Sequence, residues 1–326
     1  SLTDPNVRAT EIELYEGLEA SSQNCWPSVN FDIGGINNFL SPLLPAGFYY
    51  KTFMWPASFW EKYEYFIRHS AGLGKAPTKS DPDIYDHQYS HCDVLVVGGG
   101  ISGIISAKLS AEKGLDTFLI DDKNFLGGST IYQENEAYKI NDIYSNEWLA
   151  KEIKSLKNYP NLIIKNRTSL AAFHGYNYLL ARENLTDHLS ISDRKNKIRQ
   201  RLWKIRAKKV IIASGSIERP LIFSNNDRPG IILSSSIKKY IDYYGVKTGE
   251  NISLFTNNDS AYETAISLNK SGVKVNVIVD IRKNSESLIV KEALDLGLKV
   301  LWESTVVETQ GYKKIKSFEV MKLSDD

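Results

Sequence analysis

The sequence is poor in the residue types that mark disulfide frameworks, metal centres and membrane spans. Its 326 residues include two cysteines, Cys25 and Cys92, in neither a CxxC nor a zinc-ligand spacing. That excludes a disulfide scaffold and points to a reducing, cytoplasmic setting. Histidine is scarce, at five residues. His87, His91 and Cys92 lie close together but lack a fourth ligand, so no metal site is expected. No apolar run approaches the roughly 20 residues of a membrane helix, and no signal-peptide pattern leads the sequence. Basic residues number 40 and acidic residues 39, a net charge of +1. Nothing in that balance draws the chain to nucleic acid or membrane. No Ser/His/Asp or Cys/His constellation has a defensible spacing, so no catalytic residue is assigned. The sequence opens at Ser1 rather than Met and closes in a strand-like run, Lys316–Leu323, so an internal piece of a longer polypeptide is expected. The length suffices for about two domains.

Against these absences stands one dense signal. Cys92-Asp93-Val94-Leu95-Val96-Val97 is an apolar, β-branched run that ends in Gly98-Gly99-Gly100-Ile101-Ser102-Gly103. A helix-like segment follows to Lys113, closed by Gly114; a second strand, Thr117–Ile120, ends in Asp121. Strand, glycine turn, helix, strand and terminal acid are the full context of a dinucleotide fingerprint. Gly98 permits the tight turn, Gly100 lets a pyrophosphate reach the backbone, and Gly103 lets helix pack on strand. Free N–H groups at the helix start, including those of Ile101 and Ser102, favour the pyrophosphate. Asp121, 23 positions after Gly98, is placed to accept bonds from a ribose diol. An ordinary tight strand–helix turn would account for the glycines but leave Asp121 unexplained. With Asp122 beside it, Asp121 also disfavours a 2′-phosphate, so the expected ligand is an adenine dinucleotide without one. Leu126-Gly127-Gly128-Ser129 forms a loop near the strand ends that would cover the nucleotide. A later buried strand closes in Ala213-Ser214-Gly215, which resembles the strand-end motif that returns the chain to the first nucleotide in two-dinucleotide flavoproteins.

The expected fold is therefore α/β, Rossmann-type, with two dinucleotide-binding-like domains, an antiparallel insertion and a degenerate second lobe. Residues 1–75 read as an aromatic, proline-punctuated extension that packs on a partner or on the chain's own nucleotide domain. Residues 76–91 read as a linker, 92–230 as the first nucleotide domain with a β insertion over about 161–207, and 231–326 as the second lobe. A helix is expected around Asn146–Leu156. Short strands are expected at Asn161–Lys165, Ser169–His174, Asn177–Ala181 and Arg201–Arg206, forming the insertion. The run Arg194–Lys209 holds nine basic residues and no acid; a phosphate patch competes with a solvated hairpin facing a core, and the interleaved Leu202, Trp203 and Ile205 favour the hairpin. In the second lobe, a strand Asn251–Thr256, a helix Ala261–Asn269 and a strand Val273–Val279 surround the turn Thr256-Asn257-Asn258-Asp259-Ser260. That turn has no glycine at any fingerprint position, and Asp259 would repel a pyrophosphate, so the second site reads as lost. No cysteine pair follows the first nucleotide unit, which argues against thiol–disulfide chemistry.

Several of these words resemble one family, the alpha subunit of bacterial heterotetrameric sarcosine oxidase. They include Pro5-Asn6-x-Arg8-Ala9-Thr10, Glu13-Leu14-Tyr15-x-Gly17-Leu18-Glu19-Ala20 and Leu44-Pro45-Ala46-Gly47-Phe48-Tyr49-Tyr50-Lys51-Thr52-Phe53-Met54-Trp55-Pro56. Others are Arg201-Leu202-Trp203-Lys204-Ile205-Arg206, Asn226-Asp227-Arg228-Pro229-Gly230 and Thr256-Asn257-Asn258-Asp259. The resemblance runs from about residue 5 to at least 280 and is similar to an internal piece of that subunit. Cys25 before Trp26-Pro27, and Ser214 in place of threonine, depart from the family pattern. The resemblance implies NAD in the first-fingerprint site, with FAD as the alternative in that site. It also implies FAD on a beta-type flavoprotein subunit, covalent FMN near the alpha–beta interface, and small gamma- and delta-type subunits. The implied complex demethylates sarcosine to glycine, passes the one-carbon unit to tetrahydrofolate and releases hydrogen peroxide, with amine oxidation on the beta subunit. Two alternatives are the alpha subunit of an opine, proline or cyanide-forming amine dehydrogenase, and a non-catalytic module that merely holds a dinucleotide.

Overall fold

The computed structural model describes residues 80–132, 138–312 and 314–323 continuously, and before them residues 4, 7, 12–22, 25–28, 30–36, 39, 42, 47, 53, 55–71 and 73. The chain divides into two compact units, residues 1–91 with 167–206, and residues 92–166 with 207–326.

In the second unit, the C-terminal part of the strand Ile84–Val97 is buried over Val94–Val97. Apolar residues run continuously there because a parallel strand is covered on both faces. Val94–Val97 pairs in parallel with Thr117–Ile120, and Thr117–Ile120 with Leu162–Lys165. The helix Ile101–Glu112 links the first two strands and buries Gly103, Ile104, Ala107 and Ala111. The helix Ser145–Leu156 buries Trp148, Leu149 and Leu156, one face of the expected amphipathic pattern. These side chains join Val94, Val96 and Leu119 in one core; each large apolar member contributes about 1.5–3 kcal/mol by burial. One expectation is corrected here. The strand expected at Asn161–Lys165 does not belong to an antiparallel insertion. Reached through a crossover helix, it returns parallel and extends the nucleotide sheet.

The same unit holds the second lobe. Lys274–Asp280 pairs in parallel with Asn251–Thr256 on one side and with Val300–Leu301 on the other. Helices Ser260–Lys270 and Leu288–Asp295 cover them. Tyr262, Leu268, Ile278 and Val290 are fully buried at its centre. An antiparallel hairpin follows, Ser304–Gly311 against Ile315–Lys322.

In the first unit, Thr168–His174 pairs antiparallel with Tyr178–Asn184, which pairs antiparallel with residues 200–206 of the strand Ile198–Ile212. Residues 84–91, expected within a linker, are strand. The separate strands expected at Arg201–Arg206 and from Lys209 are one continuous strand. Much of the basic run is consumed by partners. Arg199 donates to Asp187 at 2.6 Å and to Asp4 and Asp83 at 2.5 Å each. Arg201 pairs with Asp86 at 2.8 Å, and Lys204 donates to the Tyr89 hydroxyl at 3.2 Å. Arg167 clamps Glu13 through two bonds of 2.7 and 2.8 Å. Of the aromatic extension, Phe48, Tyr49 and Tyr50 lie outside the described residues. The Phe53 ring lies 5.2 Å from that of Tyr63, whereas Trp55 is 82% exposed. No described helix is long and apolar enough to cross a membrane.

Candidate dinucleotide site

The glycine turn is built by three different constraints. Gly98 adopts a φ of +104°, a region that favours glycine. A Cβ there would also strike the carbonyl of Ala213. Gly103 sits where the helix meets the turn, and a Cβ would overlap the Gly98 carbonyl oxygen. Gly100 differs from both. Its φ and ψ of −72° and −175° suit any residue, and the nearest atom to a Cβ there is the Gly128 Cα at 3.9 Å. Space is therefore kept open above Gly100 without any demand from the protein itself. The helix Ile101–Glu112 begins there with no side-chain cap. An open cradle over uncapped N–H groups is what a pyrophosphate requires, so the residues present fit a dinucleotide.

The remaining candidates gather on the same turn. Gly127 donates its N–H to the Gly99 carbonyl at 2.7 Å. A Cβ on Gly128, whose φ is +58°, would come within 2.9 Å of the Gly100 Cα. The Leu126–Ser129 loop thus closes on the glycine turn, with Ser129 exposed. Ala213 donates to the Val97 carbonyl at 2.7 Å, and this sets the Ala213-Ser214-Gly215 segment beside Gly98. Ser102 and Asp122 are exposed and Ile101 is half-buried.

Asp121 is buried, 8% exposed. Its Oδ2 accepts the Gly99 N–H at 2.5 Å and its Oδ1 the Lys123 N–H at 2.8 Å. Burial pushes its carboxyl above the ordinary range, and those two N–H groups oppose the shift. A carboxylate offers about four acceptor sites, so each oxygen keeps capacity for a ribose hydroxyl. The Gly99 contacts escaped the sequence reading, which gave that residue no task of its own. A Cβ there would strike the Leu126 side chain and approach the Asp121 carboxylate to 3.0 Å, so any larger residue would displace one of them. Burial raises the Cys92 thiol to about 11, which leaves it inert as a nucleophile near neutral pH.

The corresponding turn of the second lobe is filled by its own side chains. Asn258 accepts the Ser260 N–H at 2.9 Å, and its carbonyl accepts the Thr256 hydroxyl at 2.8 Å. Asp280, the acid that ends the second strand, is fully buried. It accepts the Tyr262 hydroxyl at 2.8 Å and pairs with Arg282 at 2.7 Å. Arg282 also binds Asp259 at 2.7 Å. Thus no acceptor stands free there for a ribose, and no cradle stands open for a phosphate.

Comparison with known proteins agrees with this geometry. Residues 93–142 match the family model described as FAD dependent oxidoreductase. The chain is 40% identical over 324 residues to sarcosine oxidase subunit alpha of Rhizobium meliloti (strain 1021), covering 97% of this chain and 31% of that protein. It is 35% identical over 240 residues to sarcosine oxidase subunit alpha of Corynebacterium sp. (strain U-96), covering 74% of this chain and 24% of that protein. The chain therefore spans about a third or less of the length of these relatives. Among solved structures, thioredoxin reductase of Lactococcus lactis superposes with a TM-score of 0.52 at 20% identity, covering 72% of each chain. That likeness is one of fold. The fold is the Rossmann-type FAD/NAD-binding fold of flavoproteins, and in sequence the chain belongs with the alpha subunits of sarcosine oxidase as part of an oxidoreductase subunit.

Proposed function

We propose that this chain, a relative of the sarcosine oxidase alpha subunits, is the NAD-holding portion of such a subunit. The observation that carries this reading is the contrast between the two lobes. One has an open cradle at Gly100 beside an acid with acceptor capacity; the other is closed by Asn258 and Arg282. In the first lobe, Gly98, Gly99, Gly100 and Gly103 shape the turn, and the N–H groups of Ile101 and Ser102 hold the pyrophosphate. Asp121 takes the ribose, Asp122 adds charge against a 2′-phosphate, and Gly127, Gly128 and Ser129 cover the phosphates. Ala213, Ser214 and Gly215 back the turn. A bound nicotinamide dinucleotide would supply hydride-transfer capacity, whereas this chain's residues bind and orient it.

At the level of the whole enzyme, the proposal is a complex that oxidatively demethylates sarcosine with tetrahydrofolate as one-carbon acceptor. A beta-type flavoprotein subunit would carry amine oxidation, and residues 1–75 would serve as a packing segment ahead of the nucleotide domain, 92–230, and the second lobe, 231–326. FAD in the same first-lobe site is the second reading, favoured by the FAD-dependent oxidoreductase match over residues 93–142. Mass spectrometry of the nucleotide released on denaturation tests the assignment. NAD is the expected species, FAD would support the second reading, and NADP would overturn the charge argument at Asp121 and Asp122.

A further inference from the structure

The ion pairs of the first unit account for only half of the basic run Arg194–Lys209. Side chains alternate between the two faces of a strand, and the run splits accordingly. On one face Trp203 and Ile205 are buried, and Arg199 and Arg201 are neutralised by carboxylates such as Asp83 and Asp86. The even-numbered residues take the other face, and cross-strand pairing sets their neighbours. Arg206 stands opposite Tyr178, which stands opposite His174. Lys204 stands opposite Leu180 and reaches Tyr89. Leu202 stands opposite Arg182. Arg182, Lys204 and Arg206 have no carboxylate partner among the described residues, and no aspartate or glutamate shares these rows. Tyr89, His174, Arg182 and Arg206 are exposed. At the end of this face, the turn between Thr168–His174 and Tyr178–Asn184 raises Tyr176, 92% exposed. Its φ and ψ are +57° and +34°, an outlying conformation for a bulky residue. Gly175 beside it would adopt that conformation freely but lies outside the region. Arg206 holds the tip by donating to the Tyr176 carbonyl at 3.2 Å, and its guanidinium lies 5.2 Å from the centre of the Tyr178 ring.

We propose that this open sheet face, with Tyr176 at its end, is a docking surface for an acidic face of the beta-type flavoprotein subunit. The inference rests on the reading of the chain as part of a multi-subunit enzyme. Charge carries it first. The whole chain is nearly neutral, with 40 basic and 39 acidic residues, yet this face presents three cations and no carboxylate, so a complementary surface supplies acids. The cations are also pre-positioned. Lys204 lies 4.9 Å over the Tyr89 ring and Arg206 is fixed between Tyr176 and Tyr178, so little side-chain freedom is lost on docking. Tyr176 carries it second. At its exposure the ring adds nothing to the core, while the backbone beneath it holds a strained conformation. Strain kept at an exposed aromatic marks function rather than stability, and tyrosine is a preferred anchor at protein interfaces. A protein fits better than a nucleic acid. Single strands bind by stacking bases on open aromatic faces, and here Lys204 and Arg206 already cover the Tyr89 and Tyr178 rings.

The test is association of the full alpha subunit with the beta-type flavoprotein, followed at low and at physiological salt. Two variants probe the two features. Arg182→Glu/Lys204→Glu reverses charges that pair with no acid of this chain, and it is expected to slow association about tenfold or more at low salt and to flatten the salt dependence. Tyr176→Asn removes the ring but suits the left-handed backbone, so it is expected to melt no lower than wild type and yet to bind the flavoprotein about tenfold or more weakly. A merely structural tyrosine would show the opposite pattern. Carbodiimide coupling of the assembled complex is expected to join the Lys204 amine to an Asp or Glu of the flavoprotein. Folded variants that assemble with wild-type rate, affinity and salt dependence would overturn the docking surface and leave the nucleotide reading intact. Coupling of Lys204 solely to carboxylates of the alpha subunit would overturn it as well, as would displacement of the flavoprotein by a single-stranded oligonucleotide. Failure of the wild-type subunits to associate would overturn both the docking surface and the multi-subunit reading.

Discussion

Asp121 faces opposing demands. Its burial raises the carboxyl above its ordinary value of 3.8, so the folded state holds the proton more tightly than the unfolded chain. The sign follows from linkage. The ionised group costs stability above its folded-state pKa, and that cost is withdrawn as pH falls through that pKa toward 3.8. An amide keeps one oxygen for the Gly99 N–H and carries no charge, but its NH2 faces the Lys123 N–H and forfeits that bond at every pH. The stability of Asp121→Asn relative to wild type is therefore expected to improve as pH rises from about 4 to 7, on top of a pH-independent loss, as read by urea denaturation of the nucleotide-free chain across that range. The same change removes charge-assisted bonds to a ribose, worth about 1.5–3 kcal/mol, so NAD affinity should fall roughly ten- to a hundredfold. A stability difference that does not change between about pH 4 and 7, together with unchanged NAD affinity, would contradict both halves of this account.

At the scale of the element, the fingerprint turn separates fold from ligand. The Gly103 Cβ position overlaps a backbone oxygen, so Gly103→Ala should destabilise the first lobe by about 3 kcal/mol, the upper end of the usual range for overpacked sites. Gly100→Val meets ordinary backbone angles and open space. It should therefore melt within a degree or two of wild type yet lose nucleotide about a hundredfold or more. Asn258→Val in the second lobe removes a bond to the helix start at a cost of about 1 kcal/mol and should leave nucleotide binding unchanged. Calorimetric melting paired with NAD titration distinguishes the three, and equal nucleotide loss in Gly100→Val and Asn258→Val would refute the contrast between lobes. Much of this was legible in sequence because parallel strands and glycine turns announce themselves locally. The strand Asn251–Thr256 has the bounds expected from the sequence, and the glycine turn falls between strand and helix as the spacing predicts. Residues 84–91 were not legible, since His87, Gln88 and Ser90 give no apolar alternation. That stretch is held as strand by residues more than a hundred positions away, such as Arg201 on Asp86 and Lys204 on Tyr89. The engagement of Asp121 with Gly99 was hidden for the same reason: a hydrogen bond across 22 positions leaves no mark in a periodic pattern.

At the scale of the whole molecule, the match to the Rhizobium alpha subunit covers 31% of that protein's length. The only described cysteine in a strand, Cys92, is buried with its thiol held protonated; Asp280 and Arg282 neutralise one another; and Asp121 is committed to the glycine turn. Trp55, Trp26 and Phe66 of the first unit are 82%, 70% and 69% exposed. The expected outcome is that the purified chain releases no hydrogen peroxide from sarcosine, and that peroxide appears only when the full alpha subunit is assembled with a beta-type flavoprotein. A peroxidase-coupled assay with and without that partner measures this directly. Turnover by the chain alone would place amine oxidation within these residues and undo the division of labour, whereas a nucleotide-deficient Gly100→Val assembly shows whether the cradle contributes to turnover or only to structure.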